Sequence, residues 1–265
     1  METPLISIIM PCFNAADTLE KAVQCIQKQT YTHWELLILE DGSVDASLQL
    51  AGQFARADKR IQLINSAKNR GVIRMRNLGI RLAKGQWIAF CDADDWWIAE
   101  KLEMQMNLAH TSKASLLYSA VYYVRLKKQI HIKEVQLIAD ASFKTMLKTN
   151  AIPMSSAVYS VKKLGKHYFQ QAPDNLIHED YAYWLQLFKK RKVDAAYIRK
   201  PTTFIRLRPH SRSANLLRAA RSHAIIMHRE GQLPFVIIAL NFVFYFFTAA
   251  RKRIPWFGWK EVETV

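Results

Sequence analysis

The first 110 residues alternate short apolar runs with amphipathic stretches, and few folds accommodate that rhythm. Runs at Ser7–Met10, Glu35–Leu39, Ile61–Ile64 and Trp87–Cys91 read as strands, and the segments between them carry apolar residues at helical spacing. Strand, helix, strand in this order predicts βα units around a parallel sheet with helices on its faces. Asp17 and Glu20 are expected to form a capping pair for the first helix, whose Leu19, Val23 and Ile26 share one face. Asp45 is expected to cap a second helix, and Gly85 to end a third that carries Arg74, Met75, Arg76, Leu78 and Leu82.

Beyond about residue 111 the pattern changes to a mixed α+β region. Tyr118–Val124 and Ile130–Lys133 read as a strand pair, Ser142–Thr149 and Tyr181–Lys190 as helices, and Ala195–Arg206 as a further strand. This region is expected to continue the same sheet. The chain thus divides into residues 1–110, 111–215 and a basic, hydrophobic C-terminal region, 216–265.

Half of the 265 residues are hydrophobic, enough for a substantial core. The three cysteines, Cys12, Cys25 and Cys91, are an odd number without a CxxC pair, so neither a disulfide framework nor a zinc site is indicated and a reducing, cytoplasmic compartment is expected. Leu5–Met10 is too short and lacks the basic flank for a signal-peptide core. The formal net charge is +16, and residues 186–265 hold sixteen Lys/Arg against four Asp/Glu, so this end wants an anionic partner.

Leu233–Ala250 is an apolar stretch interrupted by Pro234, Asn241 and Thr248. Arg218, Arg221 and Arg229 precede it and Arg251, Lys252 and Arg253 follow it. Cations on both flanks favour a segment lying in, or re-entering, an anionic membrane surface over a spanning helix. A buried C-terminal core helix is the alternative.

Acidic and polar residues gather just after the predicted strands: Asn14 after the first, Glu40 and Asp41 at the end of the second, and Asp92, Asp94 and Asp95 after the fourth. In an open parallel sheet these segments converge on one crevice at the carboxyl ends of the strands. Three carboxylates within four positions repel one another, and a divalent cation commonly explains such a cluster. Mg²⁺ or Mn²⁺ takes one or two carboxylates and completes its shell with water and substrate phosphates. An acidic turn that caps the next helix is the competing explanation. No GxGxxG follows the first strand and no GxxxxGK[ST] occurs, which disfavours a dinucleotide oxidoreductase and a P-loop ATPase.

Ile8-Ile9-Met10-Pro11-Cys12-Phe13-Asn14, Ile38-Leu39-Glu40-Asp41-Gly42-Ser43, Asn69-Arg70-Gly71-Val72 through Arg76-Asn77-Leu78-Gly79, and Asp92-Ala93-Asp94-Asp95-Trp96 together resemble the family 2 glycosyltransferases of bacterial surface-polysaccharide type. The resemblance covers residues 6–110 and implies the GT-A nucleotide-diphospho-sugar transferase fold, an α/β fold with a mostly parallel central sheet flanked by helices. To this the C-terminal segment would add a helical, membrane-associated part.

By the same resemblance, Pro11, Asn14 and Asp41 would hold the base and ribose of a nucleotide-sugar donor, although Asp41 could instead be chosen for its turn. Arg76 would lie near the nucleotide or pair with a carboxylate such as Asp92. Asp92 would meet the ribose or the surroundings of the metal, and Asp94 would be the direct ligand of Mn²⁺ or Mg²⁺. In His178-Glu179-Asp180-Tyr181, Asp180 would be the general base, with Glu179 beside it at a helix start. Trp184, one turn on, would pack on an acceptor sugar or belong to the core. Arg208 and His210 resemble a late Arg-x-His segment that completes the phosphate and metal environment.

These roles imply an inverting transfer from a nucleoside diphosphate sugar, uridine diphosphate by family habit, to a glycan or polyprenyl-diphosphate-linked acceptor. Residues 1–110 would be the donor half and 111–215 the acceptor half. The Gln-x-x-Arg-Trp segment of processive synthases is absent, so addition of one sugar per encounter, to a lipid-linked or lipopolysaccharide-core oligosaccharide, fits better. The expected location is peripheral, at the cytoplasmic face of the cell membrane. The competing readings are a nucleotidyltransferase, which would want a glycine-rich basic loop after the first strand, and a basic nucleic-acid-binding protein. The aspartate turn would repel a polyanion, so nucleic acid is not an expected partner.

Overall fold

The computed structural model describes residues 3–126, 130–147, 149–170, 178–208, 216–231 and 258–262. Four N-terminal runs form strands β1 (Ile6–Cys12), β2 (Trp34–Glu40), β3 (Ile61–Asn65) and β4 (Trp87–Phe90). Helices α1 (Leu19–Gln27), α2 (Ser47–Ala57) and α3 (Val72–Leu82) connect them, and β3, β2, β1 and β4 lie side by side and parallel. β1, β2 and β4 are buried almost throughout, because both faces of the sheet are covered. That is why they read as continuous apolar runs without polar alternation.

The sheet does not stop at residue 110. A short β5 (Trp96–Trp97) and α4 (Lys101–Thr111) lead into β6 (Leu116–Leu126) and β7 (Ile130–Val135). After α5 (Phe143–Met146) and a 3₁₀ turn at Met154–Ser156, β8 (Val158–Ser160) inserts antiparallel between β4 and β6. Then come α6 (Val161–Leu164), α7 (Glu179–Lys190), β9 (Ala195–Arg206), α8 (Leu216–Gly231) and β10 (Lys260–Val262).

Ten strands share one sheet, in the order β10-β7-β6-β8-β4-β1-β2-β3 with β9 pairing β5 and β6. The sheet is mixed: parallel across β3-β2-β1-β4 and between β6 and β9, antiparallel elsewhere. Short connections such as that between β6 and β7 can only reverse the chain, whereas a parallel return needs a crossover of a dozen residues or more.

Alternate side chains of the central strands enter opposite layers. Ile9, Leu37, Leu39 and Phe90 pack with Tyr159, Tyr183 and Trp184 on one face. Ile8, Met10, Leu36 and Ile38 pack with Val23, Ile26 and Trp97 on the other. This two-sided burial fixes the register of β1, β2 and β4: Cys12 at the end of β1 lies opposite Glu40 at the end of β2, while β4 ends at Phe90 opposite Ile9.

Three local expectations need correction. Thr18, not Asp17, stands at the N-cap of α1 and makes no side-chain cap bond, while Asp17 pairs with Arg206 across the fold at 2.8 Å. Ala46, not Asp45, stands at the N-cap of α2, and Asp45, one position earlier, accepts from the N–H of Ser47, the first residue of that helix, at 3.0 Å. Gly85 does not end α3, which stops at Leu82 with Ala83 as its C-cap. Gly85 instead lies against β1: its N–H donates to Ser7 Oγ at 2.7 Å, and a Cβ there would stand 2.5 Å from the Ser7 nitrogen and 2.7 Å from the Leu5 carbonyl oxygen.

At the C-terminal end, α8 buries Ile226 and Met227 in the core, and Lys189 donates to the Glu230 carbonyl at 2.9 Å. β10 returns the chain to the sheet edge beside β7, with Trp259 under the Arg125 guanidinium. The apolar stretch Leu233–Ala250 and Arg251, Lys252 and Arg253 lie outside the described residues. Among the described residues no helix is long and apolar enough to cross a membrane.

Gly85→Ala should cost about 1–3 kcal/mol in equilibrium urea unfolding, since the added methyl meets backbone that cannot step aside. Gly52→Ala is the contrast: its methyl would meet the flexible end of Arg56 at 3.3 Å and Leu63 at an ordinary contact distance of 3.9 Å. In mid-helix it should stabilise by up to about 1 kcal/mol. Equal effects at the two sites would refute the close-approach reading of Gly85.

Candidate active site

The carboxyl ends of β1, β2 and β4 open into a cleft of about 530 Å³. One of its walls is built from two loops that lock each other. Glu40, fully buried at the end of β2, accepts from the N–H groups of Gly42 and Ser43 at 3.2 and 2.7 Å. Asn14, in the left-handed region at φ 47°, accepts from the Val44 N–H at 3.0 Å, and its own N–H donates to Ser43 Oγ at 2.9 Å. Gly42 needs its φ of +72°, and a Cβ there would come within 2.9 Å of the Asn69 nitrogen.

Asp41 is buried, and its two oxygens take the N–H groups of Arg70 and Gly71 at 2.7 and 2.8 Å. A carboxylate oxygen has a second acceptor site, so Asp41 can shape this loop and still accept from a ligand. Pro11 and Asp41 line the cleft. Asn14 is not among the lining residues; it clamps the two loops behind the wall.

The aspartate turn neutralises itself. Asp92 pairs with Arg76 at 2.7 Å and Asp94 with Arg208 at 2.8 Å. Asp95 is buried and accepts from Ser155 Oγ at 2.6 Å and from the Arg206 N–H at 3.1 Å. Burial first, then the charges of Asp94 and Asp92, push the Asp95 carboxyl well above the usual range. It therefore belongs to the scaffold and not to the ligand surface. Ser155 also accepts from the Asp92 N–H at 3.2 Å, and its carbonyl accepts from Trp97 Nε1 at 2.9 Å, so one residue ties down the whole turn.

Arg76 is buried beneath the cleft floor and joins Asp92 to Glu179, the latter at 3.5 Å. Burial alone would lower the proton affinity of its guanidinium, but Asp92 and Glu179 outweigh that and raise it. The expected pairing of Arg76 with Asp92 is present, and Glu179 is a second partner.

A divalent cation is not needed to tolerate the turn, yet one is compatible with it. Asp92 and Asp94 both line the cleft and keep 32% and 25% of their side-chain surface exposed. Burial first, then Asp92, raises the Asp94 pKa against the opposing pull of Arg208, so the site favours additional positive charge there. One carboxylate, water and substrate phosphates suffice for Mg²⁺ or Mn²⁺, and Asp94 fits that donor set. Among the described residues no three His, Cys, Asp or Glu side chains converge as a closed metal cage. His210 lies outside the described residues.

At the far wall, α7 begins with Glu179 and Asp180. Glu179 lines the cleft and is held by Arg76, whereas Asp180, the next residue, is not among the lining residues. Asp180 accepts from Asn150 Nδ2 and from the Tyr181 N–H, each at 2.8 Å. Trp184 is fully buried, packed edge-on against Phe90 and Tyr183. It is a core residue, and no acceptor sugar can reach it: the position one turn after Asp180 faces the sheet. Sequence reasoning missed Asn150 and Ser155, which sit in a connection without motif or periodicity.

A family model described as "Glycosyl transferase family 2" matches residues 7–164. WfgD of Escherichia coli, named a UDP-Glc:alpha-D-GlcNAc-diphosphoundecaprenol beta-1,3-glucosyltransferase, is 32% identical over 196 residues, 74% of each chain. TuaG of Bacillus subtilis (strain 168), provisionally named a teichuronic acid biosynthesis glycosyltransferase, is 29% identical over 256 residues, 95% of this chain and 98% of its own. Among solved structures, S. aureus TarS 1-349 in complex with UDP-GlcNAc superposes with a TM-score of 0.70 at 17% identity, covering 94% of this chain and 74% of that one. The mannosyltransferase PcManGT from Pyrobaculum calidifontis, with GDP-Man and Mn2+, superposes at 0.62 and 16% identity, covering 96% and 71%. These likenesses show a GT-A-like fold.

Arg76→Met should destabilise the protein by about 3 kcal/mol in equilibrium denaturation, because it removes the buried guanidinium that offsets the charges of Asp92 and Glu179. The Asp92 share of that cost is smaller, since water reaches Asp92. Unchanged stability would show that the three-residue bridge is incidental.

Proposed function

The chain belongs to glycosyl transferase family 2 and is a glycosyltransferase; from that premise we propose that it transfers a sugar from a uridine diphosphate sugar to a hydroxyl of a polyprenyl-diphosphate-linked glycan, with inversion, in cell-surface polysaccharide synthesis. The observation that carries this reading is the Arg76 bridge. It sets the carboxylate turn, where a diphosphate would leave, within one guanidinium of the Glu179-Asp180 helix start, where an acceptor would be deprotonated. Direct displacement at an anomeric carbon needs those two functions on either side of one sugar. The names of WfgD and TarS support the donor nucleotide, and that of WfgD supports the acceptor class.

In this mechanism the Pro11–Asn14 and Asp41–Val44 loops receive the nucleoside, with a spare lone pair of Asp41 accepting a base N–H. Arg208, more than a third exposed, exchanges Asp94 for the donor's diphosphate, to which a guanidinium can donate in bidentate fashion. A divalent ion held by Asp94 would neutralise the departing nucleoside diphosphate when bound, a role supported by the Mn2+ of PcManGT. Asp180 takes the proton of the acceptor hydroxyl as its oxygen attacks the anomeric carbon opposite the leaving group, which inverts the configuration.

The donor half of this machinery lies in residues 1–110 and the acceptor half in 111–215, built on the shared sheet. The basic and hydrophobic 216–265 region is the part we assign to the inner membrane surface, where each cation contributes about 1 kcal/mol against anionic lipid.

Asp180→Asn should lower the transfer rate about 10²- to 10⁴-fold while the affinity for uridine diphosphate, by calorimetry, stays unchanged. Near-normal transfer by this variant would move the base to Glu179. Treatment with a chelator should abolish release of nucleoside diphosphate in a donor screen, and Mn²⁺ or Mg²⁺ should restore it. Full activity in chelator would overturn the role given to Asp94.

A further inference from the structure

Asn150 lies in the connection between α5 and the 3₁₀ turn, thirty residues before Asp180 in the chain. Its amide nitrogen donates to Asp180 Oδ2 at 2.8 Å. Its Oδ1 faces the Ile152 N–H at 3.4 Å, so the local backbone defines which end of the amide meets the carboxylate. The opposite orientation would set an oxygen against an ionised acid, which can only accept. The other Asp180 oxygen accepts from the Tyr181 N–H at 2.8 Å. Each oxygen of the carboxylate is thus held by one neutral donor.

We propose that Asn150 is a positioning residue for the transfer reaction, holding Asp180 in the orientation in which it accepts the acceptor's proton; this rests on the reading of Asp180 as general base. The reason for an amide at this place is its neutrality. Asp180 stands within electrostatic reach of Arg76, which already binds Asp92 and Glu179. A carboxylate that swung onto that guanidinium would form an ion pair, with its charge cancelled and its basicity spent. Asn150 restrains the side-chain torsions of Asp180 from the loop and leaves its negative charge intact. The oxygens keep their remaining lone pairs for the acceptor hydroxyl.

The test compares Asn150→Ala, Asn150→Asp and Asp180→Asn, singly and with Asn150→Ala added to Asp180→Asn, on intact protein with an acceptor and a saturating donor. Loss of one hydrogen bond to a charged group should lower kcat about tenfold to a hundredfold in Asn150→Ala, with the donor KM and the thermal midpoint unchanged. Asn150→Asp fills the same volume but cannot donate when ionised and repels Asp180, so it should lose at least as much. In the Asp180→Asn background, Asn150→Ala should cause no further loss, because a positioning residue has nothing left to position. An active Asn150→Asp, or the same fold-loss from Asn150→Ala in both backgrounds, would overturn the proposal while leaving Asp180 as the base. High activity in Asp180→Asn alone would remove the premise together with the proposal.

Discussion

The arrangement of this cleft depends on how a set of like charges at the edge of a sheet is made tolerable. Asp92, Asp94, Asp95 and Glu179 crowd the carboxyl ends of the strands, and water alone would not keep them together at this degree of burial. Arg76 resolves the central part by binding Asp92 and Glu179 at once from beneath. It is helical, buried and supplied by α3, within the first 110 residues, yet one of its partners starts α7, in the half of the chain that follows. Electrostatic neutralisation and the docking of the two halves are therefore the same interaction.

The two walls of the cleft differ in how firmly they are made. Around Asp41 the polar contacts are mostly to backbone amides, whose positions follow from β1, β2 and their turns. Such a wall suits a part of the ligand that does not change during reaction. The Asp94–Arg208 pair joins two side chains with substantial access to solvent, and ion pairs of that kind contribute little stability and exchange readily. It occupies the place where charge must appear and depart in the reaction we assign. Fixed geometry around Asp41 and exchangeable charge at Asp94 follow from their different burial.

Asp95 shows why a motif is not a list of ligands. Three aspartates in four positions read as one acidic cluster, but the turn sends them in different directions. Ser155 and the Arg206 amide draw Asp95 inward, while Asp92 and Asp94 face the cleft. The same carboxyl group serves as scaffold or as ligand according to whether it meets donors within the protein or in solvent.

The βα rhythm of the first half was legible because burial on both faces demands long apolar runs, and periodicity within one segment reports that burial directly. The positions of Asp41, Asp92 and Asp94 at one crevice followed for the same reason, since strand ends in a parallel sheet converge whatever their separation along the chain. Asp17 was misjudged because its partner, Arg206, is distant in sequence and close only after β9 has joined the sheet. Gly85 was taken for a helix end because a glycine's missing Cβ looks alike whether it serves a turn or a close approach to another strand. Trp184 had helical spacing compatible with either face, and only the packing of α7 on Phe90 turned it inward. Asn150 and Ser155 carry no sequence signal at all. A short polar side chain in an irregular connection acquires its role from what the fold brings opposite to it, here Asp180 and the aspartate turn. The sequence determined the strands, the crevice and the chemistry available there; tertiary structure decided which carboxylates face solvent and what holds them, because hydrogen bonding and burial are properties of neighbours in space.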